Sequence, residues 1–410
     1  MQSDITAPLI IENEFPDVEK AKGVDHISLN YLNGRTSFFK TTFNGLNALS
    51  GVGILSVPYA LSSGGWLSLI LLFILASATF YTGLLITKCM EIDPNIRTYP
   101  DIGDKAFGKT GRLIVSIFTN LELYLVATGF LILAGDNLHN LLLNLNIDIY
   151  GVSISGKQCF ILLCALIVTP TVWINNMTTL SYVSATGVLA SVVVLGSVLW
   201  SGISDVGFHH KGEILNWNGL PTSFSLYAFC YCAHPVFPTL SMKNQRHFSS
   251  VLLVCFVFCT VTYTTMAILG YMMFGSELQS QITLNLPTDK LSSKMAIYTV
   301  LINPIAKYAL MLKPIVDAIE SLSQVLQQEE ILHSDYITHQ QLRCSIISTL
   351  FRGSYVAPSI LLPCVCYLKN SRTYRKPSFE AAGIVFVVLM GITIFVIGTY
   401  TSLLQIIQNI

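Results

Sequence analysis

Charge is scarce in this sequence. Asp, Glu, Lys and Arg supply 11% of its 410 residues, and 23 cations cancel 23 anions, whereas an ordinary soluble chain carries about a quarter charged residues. No basic face is left over for nucleic acid, so no nucleic-acid partner is expected. The motifs of common enzyme classes are also missing. There is no Gly-x-Ser-x-Gly, no His-Glu-x-x-His, no phosphate-binding Gly-rich loop and no Cys/His metal spacing. The chain is therefore not read as an enzyme, and no metal or other cofactor is implied. Ten cysteines are present but no Cys-x-x-Cys, and eight of them (Cys159, Cys164, Cys230, Cys232, Cys255, Cys259, Cys364, Cys366) lie in apolar runs. A thiol in such a place acts as a small hydrophobe, so these read as core filler. Residues 1–40 have no apolar core, which excludes a cleaved signal peptide and reads as a disordered, cytosolic polar tail.

What is abundant is long apolar runs, in a chain that is 52% hydrophobic. A bilayer crossing needs about 20 such residues. Residues 41–410 read as one transmembrane domain with runs at Thr41–Leu61, Trp66–Met90, Leu113–Leu138, Gln158–Trp173, Leu180–Trp200, Thr222–Leu240, Ser249–Phe274, Met295–Val316, Cys344–Leu368 and Ala381–Ile407. The expectation is an all-α, multi-pass membrane protein of about ten helices. Cytoplasmic loops carry excess Lys and Arg. Lys88, Arg97, Lys105, Lys109 and Arg112 thus put the loop after the second run in the cytosol, and the N-terminus with it. The polar stretch 317–343 then reads as a cytosolic loop. The cluster Lys369, Arg372, Arg375 and Lys376 also asks to be cytosolic. Between the two lies apolar sequence for one crossing at most, where an even number is required. The chain reads as one helix short.

Two runs are expected to be broken. In the first, Gly51 and Gly53 flank Val52, with Asn47, Ser50, Ser56 and Pro58 close by, and each glycine weakens a helix by about 1 kcal/mol relative to alanine. In the sixth, Cys232-Ala233-His234-Pro235-Val236-Phe237-Pro238 carries two prolines, each of which removes a backbone donor and clashes with the preceding turn. Unwound backbone at membrane depth must line a cavity or be buried in protein. Ionisable groups at that depth are functional candidates by default. His234 either carries a proton or locks the break by bonding a freed carbonyl. Glu122 either holds a proton or pairs with another helix. Lys307, after Asn303-Pro304, either takes the place of a coupling cation or forms an ion pair with Glu122. Asp136 is about 21 Å along the helix from Glu122 and belongs to a different site.

Two broken helices five segments apart fit an inverted repeat of five plus five helices with the substrate between them. NALSGVGILSVPYAL at 47–61, LAGDNL at 133–138, HPVFP at 234–238, NPIAKYALM at 303–311, LLPCVCYL at 361–368 and GTYTSL at 398–403 together resemble the amino acid/auxin permease family, most closely its plant vacuolar amino-acid transporter branch, related to the vesicular transporters of inhibitory amino acids. The resemblance implies a LeuT-like inverted-repeat fold with broken first and sixth helices. It implies secondary active transport of neutral amino acids coupled to protons, as antiport into an acidic endomembrane compartment such as the vacuole. Its partners would be that substrate, protons and membrane lipid. It implies substrate contacts from Asn47, Ser50, Gly51, Val52 and Gly53 on the first helix, Tyr124 on the third, Ala233, His234 and Phe237 at the second break, and Asn303 on the eighth. Glu122, His234 and Lys307 are the proton-coupling candidates. Against the family pattern, Ala233 stands where a glycine is usual and Pro235 where an alanine is, and the family's ninth of eleven helices is absent between Thr349 and Tyr355. The alternative is a degenerate or regulatory form that does not transport.

Overall fold

The apolar runs become helices because a chain among lipids must pair its backbone groups internally. The computed structural model describes residues 37–51, 53–93, 96–142, 147–149, 152–154, 156–174, 176–208, 212–240, 247–326, 357–371 and 379–409. The helices in chain order are α1 (Phe38–Leu49), α2 (Gly53–Gly64), α3 (Leu69–Ile92), α4 (Tyr99–Leu141), α5 (Gly156–Val168), α6 (Met177–Ser201), α7 (Leu220–Cys230), α8 (Phe248–Phe274), α9 (Leu291–Leu326), α10 (Leu362–Ser371) and α11 (Phe379–Asn409). A hairpin of β1 (Ile147–Ile149) with β2 (Val152–Ile154) lies between α4 and α5. Among the described residues six helical spans are long and apolar enough to cross a membrane, and the pair α1 and α2 makes a seventh.

Contacts at the helix ends sort these elements into alternating directions. Asn44 on α1 donates to the Met177 carbonyl at the start of α6 (3.5 Å), so these ends share one face. At the opposite face the Trp66 ring lies 4.9 Å from that of Tyr271, near the end of α8, at a tilted angle. There too Ser292, at the start of α9, donates to Asp205 just past α6. The first face also gathers the end of α3, the start of α11 and the end of α10. Lys88 pairs with Glu380 at 2.6 Å, and Lys369 lies 5.9 Å from the centroid of the Phe107 ring.

Two stretches differ from the sequence reading. Helix α4 begins fourteen residues before the apolar run, at Tyr99, where Asp101 accepts from the Thr98 amide (2.8 Å) and caps the first turn. It then folds sharply at Gly108, whose φ of 66° only glycine reaches cheaply. Helix α9 runs on to Leu326, into the stretch read as the polar loop 317–343. Ile319, Leu322 and Leu326 continue the helical spacing there, among residues of good helix propensity. Residues 1–36, Val52, and the stretch 349–355 where the ninth helix is missed all lie outside the described residues.

Candidate functional site

The first span stops at Leu49 and resumes at Gly53. Ser50 still donates its amide to the Leu46 carbonyl (2.8 Å) and Gly51 to that of Leu49 (2.7 Å), which closes α1 with a tight turn. Three long-range contacts hold the opened end. Lys307 on α9, wholly buried, donates from Nζ to the Ser50 carbonyl. A cation at a helix C-terminus meets the negative end of the helix dipole. One turn away, Asn47 donates from Nδ2 to the Ala306 carbonyl (2.8 Å) and to Ser184 Oγ on α6 (3.2 Å). The Tyr263 hydroxyl of α8 reaches the Leu49 carbonyl and, at 3.2 Å, that of Cys230. A single phenol therefore ties the last carbonyls of α1 and α7 together.

The second break follows Cys230. Tyr231 to Ala233 leave the helix, and His234–Thr239 form a 3-10 turn. Ala233 has φ −133°, ordinary backbone for any residue, so the usual glycine is not needed here. His234 Nε2 lies 2.9 Å from the Thr79 carbonyl and 2.9 Å from Thr82 Oγ1 on α3. A carbonyl only accepts, so Nε2 carries the proton. The brace thus runs to a neighbouring helix and not, as expected of a locked break, to a carbonyl freed in its own span. Phe237 is buried against His234 and Phe256.

Between the two breaks lies a small cavity of about 10 Å³, room for about one water. Ala48, Leu49, Gly51 and Gly53 form one wall, and Phe229, Cys230 and Cys232 the other. Val126 of α4 and Met311 of α9 close it. Gly53, the first residue of α2, lines it, and the first amides of a helix have no intrahelical partners. This wall can therefore offer donors to a carboxylate, while the Leu49 and Cys230 carbonyls, each bound by Tyr263, keep one lone pair each for an ammonium.

Of the residues the sequence singled out, Gly51 and Gly53 line this cavity. Asn47, Ser50, Ala233, His234, Phe237 and Lys307 are buried but do not line it. Asn303 is buried on α9, one turn before Lys307, and does not line the cavity. Tyr124 lies on the exposed side of α4, opposite buried Glu122 and Val126, and is not part of the wall. Val52 lies outside the described residues. No ion pair joins Glu122 to Lys307: the carboxyl meets Ser359 Oγ at 3.4 Å and the ammonium meets Ser50. Sequence reasoning missed Tyr263, Val126 and Met311, apolar or aromatic residues within unbroken runs, and Phe229, which precedes the second break. It also read Cys230 and Cys232 as filler, although both face the cavity. No disulfide forms among the described residues.

A family model described as transmembrane amino acid transporter protein matches residues 34–366. The amino acid transporter AVT1I of Arabidopsis thaliana is 52% identical over 395 residues, covering 92% of this chain and 97% of that protein. AVT1J of the same plant is 54% identical over 385 residues, covering 90% and 91%. The positions aligned with AVT1I outnumber the residues of this chain that they cover, so that relative has residues with no counterpart here. Among solved structures, the crystal structure of MhsT in complex with L-phenylalanine superposes with a TM-score of 0.51 at 11% identity, over 87% of this chain and 99% of that one. That likeness concerns the fold, which is the LeuT-like one. With so close a match running almost end to end, the chain belongs to the transmembrane amino acid transporter family, among relatives of the plant AVT1 proteins.

Proposed function

We propose that this chain moves neutral amino acids across an endomembrane such as the vacuolar one, in exchange for protons. The observation that carries the reading is that the two breaks face each other across a small cavity, closed in this structure to less than the volume of an amino acid. A zwitterion needs donors for its carboxylate and acceptors for its ammonium, and helix ends supply both without a charged side chain. The walls beyond the backbone are Val126, Phe229, Cys230, Cys232 and Met311. They offer an amino acid's side chain apolar and weakly polar contacts only, which favours uncharged substrates. Lys307 supports proton in place of metal-ion coupling. It delivers a fixed ammonium to the unwound carbonyl of Ser50, at a half-helix end of the kind that binds the coupling cation in related architectures.

The test is uptake into liposomes holding the purified chain, acid inside, with a panel of radiolabelled neutral amino acids. Accumulation that collapses when the pH gradient is dissipated is the expected result. If a correctly inserted protein accumulates none of them, the chain is a regulatory or degenerate form. That second reading has its own support in the residues of AVT1I that have no counterpart here.

A further inference from the structure

Four polar side chains from four elements make a continuous buried line beside the second break. His234 Nε2 meets Thr82 Oγ1 at 2.9 Å, Thr82 Oγ1 donates to the Ser359 carbonyl at 2.8 Å, and Ser359 Oγ faces Glu122 Oε1 at 3.4 Å. All four residues are at most 2% exposed. Ser359 joins the two halves of the line, accepting through its backbone and donating through its side chain. It sits in the π-helical turn Ala357–Leu361 that leads into α10, and such turns recur at functional sites.

Glu122 is otherwise poorly provided for. Its Oε2 has no partner among the described residues, and no Lys or Arg there comes within ion-pair distance. The titratable groups around it are Cys232 at the second break, Tyr99 from the first turn of α4, and His234 three links away. Beyond Tyr99 stand the thiols Cys364 and Cys366 of α10. On α9, which also packs against α4, Lys307 is engaged with Ser50. None of these supplies a counter-charge. A bare carboxylate with one long hydrogen bond is strongly disfavoured at membrane depth, so this packing suits the neutral acid.

We propose that Glu122 is the site that binds the coupling proton, and that Ser359 positions it and links its state to the second break through Thr82 and His234. The inference rests on the transport reading above and selects one of its three ionisable candidates. The chemistry is one O–H bond made on the Glu122 carboxyl with a proton from one compartment and broken to release it to the other. When the proton leaves, the carboxylate draws on the Ser359 hydroxyl and calls for further donors that this arrangement lacks. The π-helical turn must then shift, and with it the Ser359 carbonyl that anchors Thr82 and His234. Proton and substrate thereby bias the same two arrangements, which is what coupling between sites requires.

The experiment compares wild type, Glu122→Gln and Ser359→Ala in liposomes, by gradient-driven uptake and by exchange of labelled for unlabelled substrate at equal pH. The glutamine keeps the shape of the neutral acid but does not titrate. Its expected behaviour is exchange close to wild type and independent of pH, with gradient-driven accumulation down by about tenfold or more, within the usual span of coupling energies. Ser359→Ala is expected to keep exchange and displace the pH midpoint of uptake, an effect that a merely structural role does not produce. Gradient-driven accumulation by Glu122→Gln equal to wild type overturns the inference, as does a Ser359→Ala pH profile that superimposes on wild type. If the glutamine variant does not fold, the Ser359→Ala profile decides alone. A wild type that neither accumulates nor exchanges substrate defeats the transport reading itself, a different result from a proton-insensitive variant of an active transporter.

Discussion

Gly53 shows how a residue can be singled out correctly for an incomplete reason. The sequence marks it as a point where a helix opens, and α2 does begin there. The structure adds a steric demand. A Cβ at Gly53 would stand 2.7 Å from Cys230 Sγ, 2.9 Å from its Cβ and 3.0 Å from its Cα, so the two broken spans meet there with no room for a methyl group. Gly53→Ala is expected to destabilise the fold by about 1–3 kcal/mol, the usual cost of overpacking, and to abolish transport. Gly129→Ala, where nothing lies within 4 Å, is expected to leave both unchanged. Adding Cys230→Gly to Gly53→Ala moves the Cβ from one wall to the other and is expected to restore part of the stability. Thermal unfolding in detergent reads all three variants, and a Gly53→Ala protein as stable as wild type contradicts the argument. Val126 and Met311 were not legible, because an apolar residue facing a cavity looks the same in sequence as one facing the core. Tyr124 errs in the other direction. It lies two residues from Glu122, and positions two apart on a helix point about 200° apart, so its side faces outward.

At the scale of elements, the two breaks were legible because glycine and proline act locally: each disfavours helix at its own position, whatever the surroundings. What joins the breaks was not. Tyr263 lies 214 residues from Leu49 and 33 from Cys230, and both its partners are backbone carbonyls, which leave no mark on side-chain pattern. It sits mid-way along α8, a helix with no break, charge or proline to draw attention. Tyr263→Phe keeps the ring and its T-shaped contact with Tyr231 (5.6 Å) while removing the hydroxyl. Two buried carbonyls then lose a donor, at a cost of about 1–3 kcal/mol. The expected result is lower thermal stability by that amount and slower substrate exchange, since α1 and α7 are no longer held as a pair. Exchange and stability both equal to wild type would mean that the phenol does not hold the break.

For the whole molecule, charge and apolar length carried the sequence reading up to α9 and then conflicted, because the cationic cluster from Lys369 onward and the stretch after α9 both asked for the same side. The structure bears on half of that conflict. Residues 357–371 span about 22 Å as helix, short of the ~30 Å hydrocarbon core. Their start lies level with Glu122 and Thr82, and their end beside the end of α3. The described part of this segment is therefore less than a full crossing and ends on the face where α11 begins, with Lys88 bound to Glu380 and Tyr367 adding a hydrogen bond to the same carboxylate (3.2 Å). Lys369 thus shares a face with Phe107 and Lys105. A single cysteine placed at Lys369 should be labelled by a membrane-impermeant thiol reagent from the same side as one at Lys109, and from the side opposite one at Leu291. We infer from the excess of positive charge that this side is the cytosol, with α11 starting there. Labelling of Lys369→Cys together with Leu291→Cys would place α10 and α11 upside down. It would detach Ser359 from the level of Glu122, and the proton site proposed here would lose its positioning residue.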